Sequence, residues 1–121
     1  MLQAREELEQ EALFRWARLA EGRWPELRWL HHVPNGGLRS KAVAARLKAA
    51  GVKAGVPDLC LPVPRGGYHG LYIELKVGRN KPTEHQRAWL DHLAEAGYST
   101  QVCYGWEAAK ACVEAYLSHR R

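Results

Sequence analysis

Several residue types and patterns are scarce in this sequence, and each shortage excludes a class of protein. Only three cysteines occur among 121 residues, and none forms a CxxC pair, so a disulfide framework is excluded and reduced thiols are expected. No apolar stretch approaches the roughly 20 residues of a membrane span. The N-terminal segment lacks the apolar core of a signal peptide. These absences predict a cytoplasmic, intracellular protein that does not enter a membrane.

The remaining composition is that of an ordinary globular protein. Apolar residues make up 46% of the chain and charged residues 26%, and there is no useful repeat or low-complexity linker. A chain of 121 residues is within the usual size of one domain, so we expect a single domain over residues 1–121. The formal net charge is +5, which favours phosphate-bearing partners without identifying one.

Apolar periodicity and turn residues predict four helices and four strands. The helices are expected over about 2–21, 41–50, 83–96 and 106–118. The strands are expected over about 27–33, 58–63, 70–77 and 98–104, with residues 64–69 as a hairpin loop. The order is therefore α-β-α-β-β-α-β-α. It predicts an α/β fold with helices flanking a small mixed central sheet.

One predicted strand carries charges in strict alternation with apolar residues. Leu71, Ile73, Leu75 and Val77 share one face, and Tyr72, Glu74 and Lys76 share the other. The carboxylate and the ammonium therefore project side by side. A solvated sheet face with a weak surface ion pair is the simpler interpretation, and one such [DE]xK triplet is expected by chance in a chain of this length.

A second carboxylate follows a proline one strand earlier, in Pro57-Asp58. If the two strands pair through the hairpin, Asp58 and Glu74 approach each other on one side of the sheet. Two such carboxylates repel unless one is protonated or a cation lies between them. Oxygen ligands of this kind suit Mg²⁺, beside which Lys76 could hold or deprotonate a water. The alternative for Asp58 is an ordinary aspartate at a strand start.

Two further polar residues lie on helix faces that should be apolar. Glu9 falls in the apolar stripe of the first helix, with Glu6 at its edge as the alternative. A glutamate directed at the core needs a partner. Gln86 lines up with Trp89 and Leu93, but it also completes a capping box that begins at Thr83. Capping and active-site roles stay equally open for Gln86, and both can hold.

Together, Glu9, Pro57-Asp58, Glu74-Leu75-Lys76 and Gln86 resemble the signature of the PD-(D/E)XK nucleases, and the closer resemblance is to the VRR-NUC branch. It is carried by residues 31–40 (HHVPNGGLRS), 46–63 (RLKAAGVKAGVPDLCLPV), 66–78 (GGYHGLYIELKVG) and 82–109 (PTEHQRAWLDHLAEAGYSTQVCYGWEAA). The resemblance covers nearly the whole chain. It is much more specific than the triplet alone, and it is to standalone phage or bacterial members.

The resemblance implies a restriction-endonuclease-like core and metal-dependent hydrolysis of a DNA phosphodiester. Asp58 and Glu74 would bind Mg²⁺ or Mn²⁺, with the backbone carbonyl of Leu75 as a further ligand. Lys76 would orient or activate the attacking water, and Glu9 would hold a metal or its water. Gln86 matches the glutamine on the helix after the catalytic strand. Relatives of the standalone type tend to be homodimers that act on branched DNA such as four-way (Holliday) junctions.

Basic residues surround these motifs. Lysine and arginine residues near an acidic metal cluster are expected if the protein binds a polyanion there. The ordinary alternative is that they are solvated surface charges. No base-reading motif is visible, so recognition of DNA shape and backbone is expected. The candidates for contact with DNA are Arg39, Lys41, Lys53, Arg65, Arg79 and Lys81.

Two other functions remain open from the sequence alone. The first is a catalytically silent module that keeps the fold and binds nucleic acid, and the second is a subunit whose basic surface meets an acidic protein. The presence of Asp58, Glu74 and Lys76 together argues against the silent module. Metal-dependent cleavage separates the enzyme from both alternatives, and salt-sensitive DNA binding separates the alternatives from each other.

Overall fold

The computed structural model describes residues 2–34 and 40–121, apart from the side chain of Gln3. Within these residues the helices are α1 (Leu2–Ala20), α2 (Lys41–Ala49), α3 (Glu84–Glu95) and α4 (Trp106–Leu117). The strands are β1 (His31–His32), β2 (Leu59–Leu61), β3 (Leu71–Lys76) and β4 (Ser99–Tyr104). This is the predicted order of four helices and four strands. None of the described helices is long and apolar enough to cross a membrane.

The strands form one mixed sheet in the order β1-β2-β3-β4. β1 and β2 are antiparallel, β2 and β3 are antiparallel, and β3 and β4 are parallel. Helices α1 and α4 contact each other and β3, while α3 contacts β4. The core between them includes the fully buried Leu13, Ile73 and Val113. The α/β fold with helices around a small mixed sheet is thus confirmed.

The strand predicted over 27–33 was mostly wrong. Residues Pro25–Trp29 form a 3₁₀ helix instead, and only His31–His32 pairs with the sheet. Pro25 suits the first turn of a helix, because its fixed φ is helical and its missing N–H is not needed there. Leu27 and Leu30 are buried while Trp29 is 55% exposed, which is a period of three rather than two.

Strand β3 is an inner strand of the sheet. The face that carries Glu74 and Lys76 is buried, although the alternation in the sequence is also compatible with a solvated face. Glu74 is only 1% exposed and Lys76 only 4%. The helices and loops around the sheet therefore enclose two charged side chains, which is costly unless each finds a partner.

The loop before β2 is held tightly against the start of α3. Gly55 has φ +90°, and a Cβ at this position would lie 2.6 Å from the backbone carbon of His85. Only glycine allows both the positive φ and this close approach. The contact brings the segment that leads into Asp58 next to the first turn of α3, which carries Gln86.

Candidate active site

Asp58 and Glu74 lie opposite each other across two paired strands. The register pairs Leu59 with Ile73, which sets the preceding Asp58 opposite Glu74. The backbone N–H of Leu75 donates a hydrogen bond of 2.8 Å to Asp58 Oδ2, so this carboxylate is fixed against β3. The two carboxyl groups meet on one side of the sheet, as the hairpin pairing predicts.

Glu74 has too few partners for a buried carboxylate. Its Oε2 accepts a hydrogen bond of 3.2 Å from Gln86 Nε2 and lies 3.7 Å from Lys76 Nζ. Its Oε1 is buried, and no donor group hydrogen-bonds to it. Burial, followed by the charge and hydrogen bonding of Asp58, raises the pKa of Glu74 to about 9, although Lys76 acts in the opposite direction.

This environment suits a divalent cation. Within residues 2–34 and 40–121, no group of three or more His, Cys, Asp and Glu residues is arranged to hold a metal ion. The site therefore offers a pair of carboxylates, Asp58 and Glu74, one of which has an oxygen without a partner. Mg²⁺ commonly takes one or two carboxylates and keeps several waters, so the residues present fit this ion.

Lys76 places a buried ammonium group beside the pair. Its side chain shares one face of β3 with Glu74, and its Nζ lies 3.7 Å from Glu74 Oε2. A buried lysine needs such a carboxylate, since an isolated ammonium in the interior is costly. The group is thus held where it can donate to a water or a phosphate oxygen near the carboxylates.

Gln86 completes the capping box and also contacts Glu74, so its contacts are compatible with both interpretations that its sequence left open. Thr83 accepts a hydrogen bond from the Gln86 backbone N–H, and the Gln86 side-chain oxygen accepts one from Thr83 N, which completes the capping box. The other end of the same amide donates to Glu74. One side chain therefore begins α3 and orients the buried carboxylate.

The two glutamates of α1 have different surroundings. Glu9 Oε1 accepts a hydrogen bond of 3.0 Å from the backbone N–H of Trp106, at the start of α4. Glu6 Oε2 accepts one of 2.9 Å from Asn80 Nδ2, and its charge helps to raise the pKa of Glu74. Glu9 thus satisfies a free N–H of a helix end, whereas Glu6 acts electrostatically on the carboxylate pair.

The predicted DNA contacts are not all equivalent in the structure. Arg39 lies outside the described residues. Arg65 is buried, and its guanidinium is engaged by the Glu26 carboxylate and the carbonyl of Pro64. The remaining candidates are exposed side chains: Lys41, Lys53, Arg79 and Lys81.

Sequence reasoning did not find the contact between Asn80 and Glu6. These residues are 74 positions apart, and an asparagine in a loop rich in glycine and proline is typical of a turn. The weak signal available was the position of Glu6 at the edge of the apolar stripe of α1.

The raised pKa of Glu74 predicts how the stability of the metal-free protein depends on pH. The folded chain holds this proton up to about pH 9, whereas the unfolded chain releases it near the ordinary value of 4.5. The folded state then binds more protons in this range, so the free energy of unfolding falls as pH rises through it. In EDTA, we expect the Tm to drop by about 5 °C or more between about pH 5 and about pH 9. The Glu74→Gln variant should lose most of that slope, and equal slopes for both proteins would contradict the assignment.

Comparison of the chain with known protein families and solved structures identifies the family to which it belongs. The family model of the VRR-NUC domain matches residues 4–107. A solved structure described as a VRR_NUC domain protein superposes on this chain with a TM-score of 0.78 at 30% sequence identity. The alignment covers 95% of this chain and 89% of that one. The chain belongs to the VRR-NUC family.

A search of curated proteins gives no significant match to the chain. The family resemblance expected from the sequence is nevertheless confirmed by the family match and by the solved structure. A VRR-NUC domain implies a nuclease family and hence a nucleic-acid substrate. The paired carboxylates and buried lysine of this VRR-NUC chain lie inside the matched region.

Proposed function

We propose that this VRR-NUC protein is a Mg²⁺- or Mn²⁺-dependent DNA endonuclease whose active site is formed by Asp58, Glu74 and Lys76. The observation that carries the proposal is the buried Glu74, which faces Asp58 and has an oxygen that no donor group reaches. In an ion pair with a purely structural role, each buried carboxylate oxygen would have a donor group. A carboxylate pair that repels itself when charged is instead arranged for a cation.

In this proposal each residue has a defined task. A bound divalent cation lowers the pKa of a coordinated water and offsets negative charge on the phosphate. Asp58 and Glu74 hold the cation, and the Leu75 carbonyl is available as a third oxygen on the same strand. Lys76 orients the attacking water or stabilises charge on a phosphate oxygen. Gln86 keeps Glu74 in position through its hydrogen bond.

We assign the contribution of α1 to Glu6 rather than to Glu9, on the basis of their contacts. Glu6→Ala should lower cleavage about tenfold or more, because the charge of Glu6 adds to the negative potential that attracts a cation to the carboxylate pair. Glu9→Ala should mainly destabilise the protein, by about 1–2 kcal/mol, because the Trp106 N–H loses its acceptor. Cleavage rates and urea unfolding of both variants test this. The reverse pattern would return the role to Glu9.

The substrate is proposed to be branched DNA, such as four-way junctions and flaps. The exposed basic residues provide contacts to DNA phosphates. The sequence has no visible motif for reading bases, so recognition of DNA shape and backbone is expected. The test is a gel assay with end-labelled four-way junction, flap and plain duplex in Mg²⁺, Mn²⁺ or EDTA. Cleavage of branched DNA that requires a metal supports the proposal. One fixed sequence cut in every structure would contradict structure selectivity.

The alternatives give different results in the same assay. Salt-sensitive binding without cleavage indicates a silent nucleic-acid-binding module. Absence of both indicates a protein-binding subunit. A homodimer would bring two active sites to one junction for paired cuts, and it stays a prediction. A monomer mass in solution together with normal junction cleavage would contradict the dimer.

A further inference from the structure

A groove lies between α2 and α3, beside the candidate active site. Its volume is about 600 Å³, which is in the range of pockets that bind small ligands and nucleotides. It is hereafter called the α2–α3 groove. The lining residues that matter are Ala44, Leu47, Lys48, Lys53, His85 and Trp89.

The helix on one side of the groove has little to pack against. Helix α2 contributes no buried residue, and Leu47 on its groove side is only half-buried. On the other side, Trp89 Nε1 donates a hydrogen bond of 3.1 Å to the carbonyl of Ala54. This bond fixes the orientation of the indole, so the groove has an aromatic wall that is already ordered.

The charges around the groove are of one sign. Lys48 and Lys53 line it, and none of the described lining residues is acidic. Apolar and aromatic walls beneath lysines suit a group that combines a flat ring with a phosphate. A nucleotide has this chemistry, since bases stack on aromatic side chains and phosphates pair with lysine.

Both walls of the groove include residues from segments that also carry active-site residues. Ala54, which accepts the Trp89 hydrogen bond, belongs to the loop that leads into Asp58. His85 precedes Gln86, whose amide donates to Glu74. A DNA strand that follows these two segments away from the carboxylate pair would bring a neighbouring nucleotide to the groove.

We propose that the α2–α3 groove holds one unpaired base of the DNA strand next to the cleaved phosphate. The inference rests on the proposed nuclease function and deepens it. A base inside a duplex is stacked on both faces and paired at its edge, so it must leave the helix to enter the groove. This costs least where the base is already unpaired, as at a flap or junction. The groove thus selects branched DNA without reading its sequence.

The test is an abasic scan of a fluorescein-labelled flap substrate. Each oligonucleotide lacks one base, at successive positions of the single-stranded arm and the branch point, and binding is measured by anisotropy in EDTA. The proteins are wild type, Ala44→Glu and Ala45→Glu. Both alanines are exposed on α2, but only Ala44 lines the groove, so the pair matches a negative charge inside the groove with one outside it.

We expect wild type to bind about tenfold more weakly when the base is missing at one or two adjacent positions. Ala45→Glu should show the same profile. Ala44→Glu should bind the intact flap about tenfold more weakly and show no further loss at those positions. Leu47→Glu is a second groove variant that should behave like Ala44→Glu, and circular dichroism checks its fold.

Other results overturn the groove proposal. A flat scan in wild type, or an unchanged profile in Ala44→Glu and Leu47→Glu, would place the base elsewhere. A flat scan together with a dimer that Leu47→Glu converts to a monomer would make the groove a contact between two copies of the chain. Cleavage of the intact flap in Mg²⁺ is measured in parallel. If no abasic position weakens binding but the flap is cleaved normally, only the groove proposal is contradicted. If one abasic position weakens binding but the flap is not cleaved, only the proposed nuclease activity is contradicted.

Discussion

Replacing Asp58 by asparagine should abolish cleavage while leaving the fold intact. We expect the rate of cleavage in Mg²⁺ to fall by about 10³-fold, because one of the two proposed charged ligands is lost. The side-chain oxygen of asparagine can still accept the hydrogen bond that Leu75 N–H donates to Asp58. Asp58→Asn therefore removes the charge and keeps the main structural contact. Single-turnover cleavage of the preferred substrate measures the effect.

Thermal unfolding separates a catalytic role of Asp58 from a structural one. In EDTA above about pH 9, where Glu74 is ionised, the Tm of Asp58→Asn should equal or exceed that of wild type, because the negative charge that disfavours ionised Glu74 is gone. A variant that is more stable but inactive is expected when two carboxylates repel each other in the metal-free protein and bind a cation together. A variant that unfolds easily, or one that cleaves normally, would contradict the role given to Asp58.

Replacing Lys76 by methionine should also cost most of the activity, by a different route. Methionine has a similar length and suits a side chain that is only 4% exposed, so the packing is largely kept. Without the ammonium, we expect cleavage to fall about 10²- to 10⁴-fold. Binding of the divalent cation should persist, since Asp58 and Glu74 remain. Cleavage rates at saturating Mg²⁺ measure the loss.

The chain offers a matched control for Lys76→Met. Lys110 lies on α4, where its Nζ is 5.9 Å from the centre of the Trp16 ring, and it has no part in the proposed site. Lys110→Met makes the same chemical change, and its cleavage rate should stay within about twofold of wild type. Equal losses in the two variants would mean that Lys76 contributes only general positive charge.

Much of this site could be predicted from local pattern, because strands impose simple geometry. Alternation along β3 sets Glu74 and Lys76 on one face, and hairpin pairing then sets Asp58 opposite Glu74. The capping box of α3 was also visible in the sequence. Its second consequence, the hydrogen bond from Gln86 to Glu74, needed the position of α3 against the sheet.

The features that escaped prediction depend on packing between distant segments. Periodicity placed Glu9 in the apolar stripe of α1 and Glu6 at its edge, but the contacts that distinguish them are made with Asn80 and Trp106, far along the chain. The sequence predicts Arg65 as an exposed cation, but the residue is buried and forms a salt bridge with Glu26. The residues around Leu27 alternate poorly, and Pro25 favoured a 3₁₀ helix over a strand.

The central claim is that Asp58 and Glu74 together hold a divalent cation, and Mn²⁺ binding in the absence of DNA tests it most directly. The signal of free Mn²⁺ in electron paramagnetic resonance gives the affinity for wild type, Asp58→Asn and Glu74→Gln. We predict binding by wild type that strengthens from about pH 6 to about pH 9, as Glu74 loses its proton, and at least tenfold weaker binding by both variants. Equal Mn²⁺ affinity in all three proteins, or binding that does not change with pH, would contradict the claim.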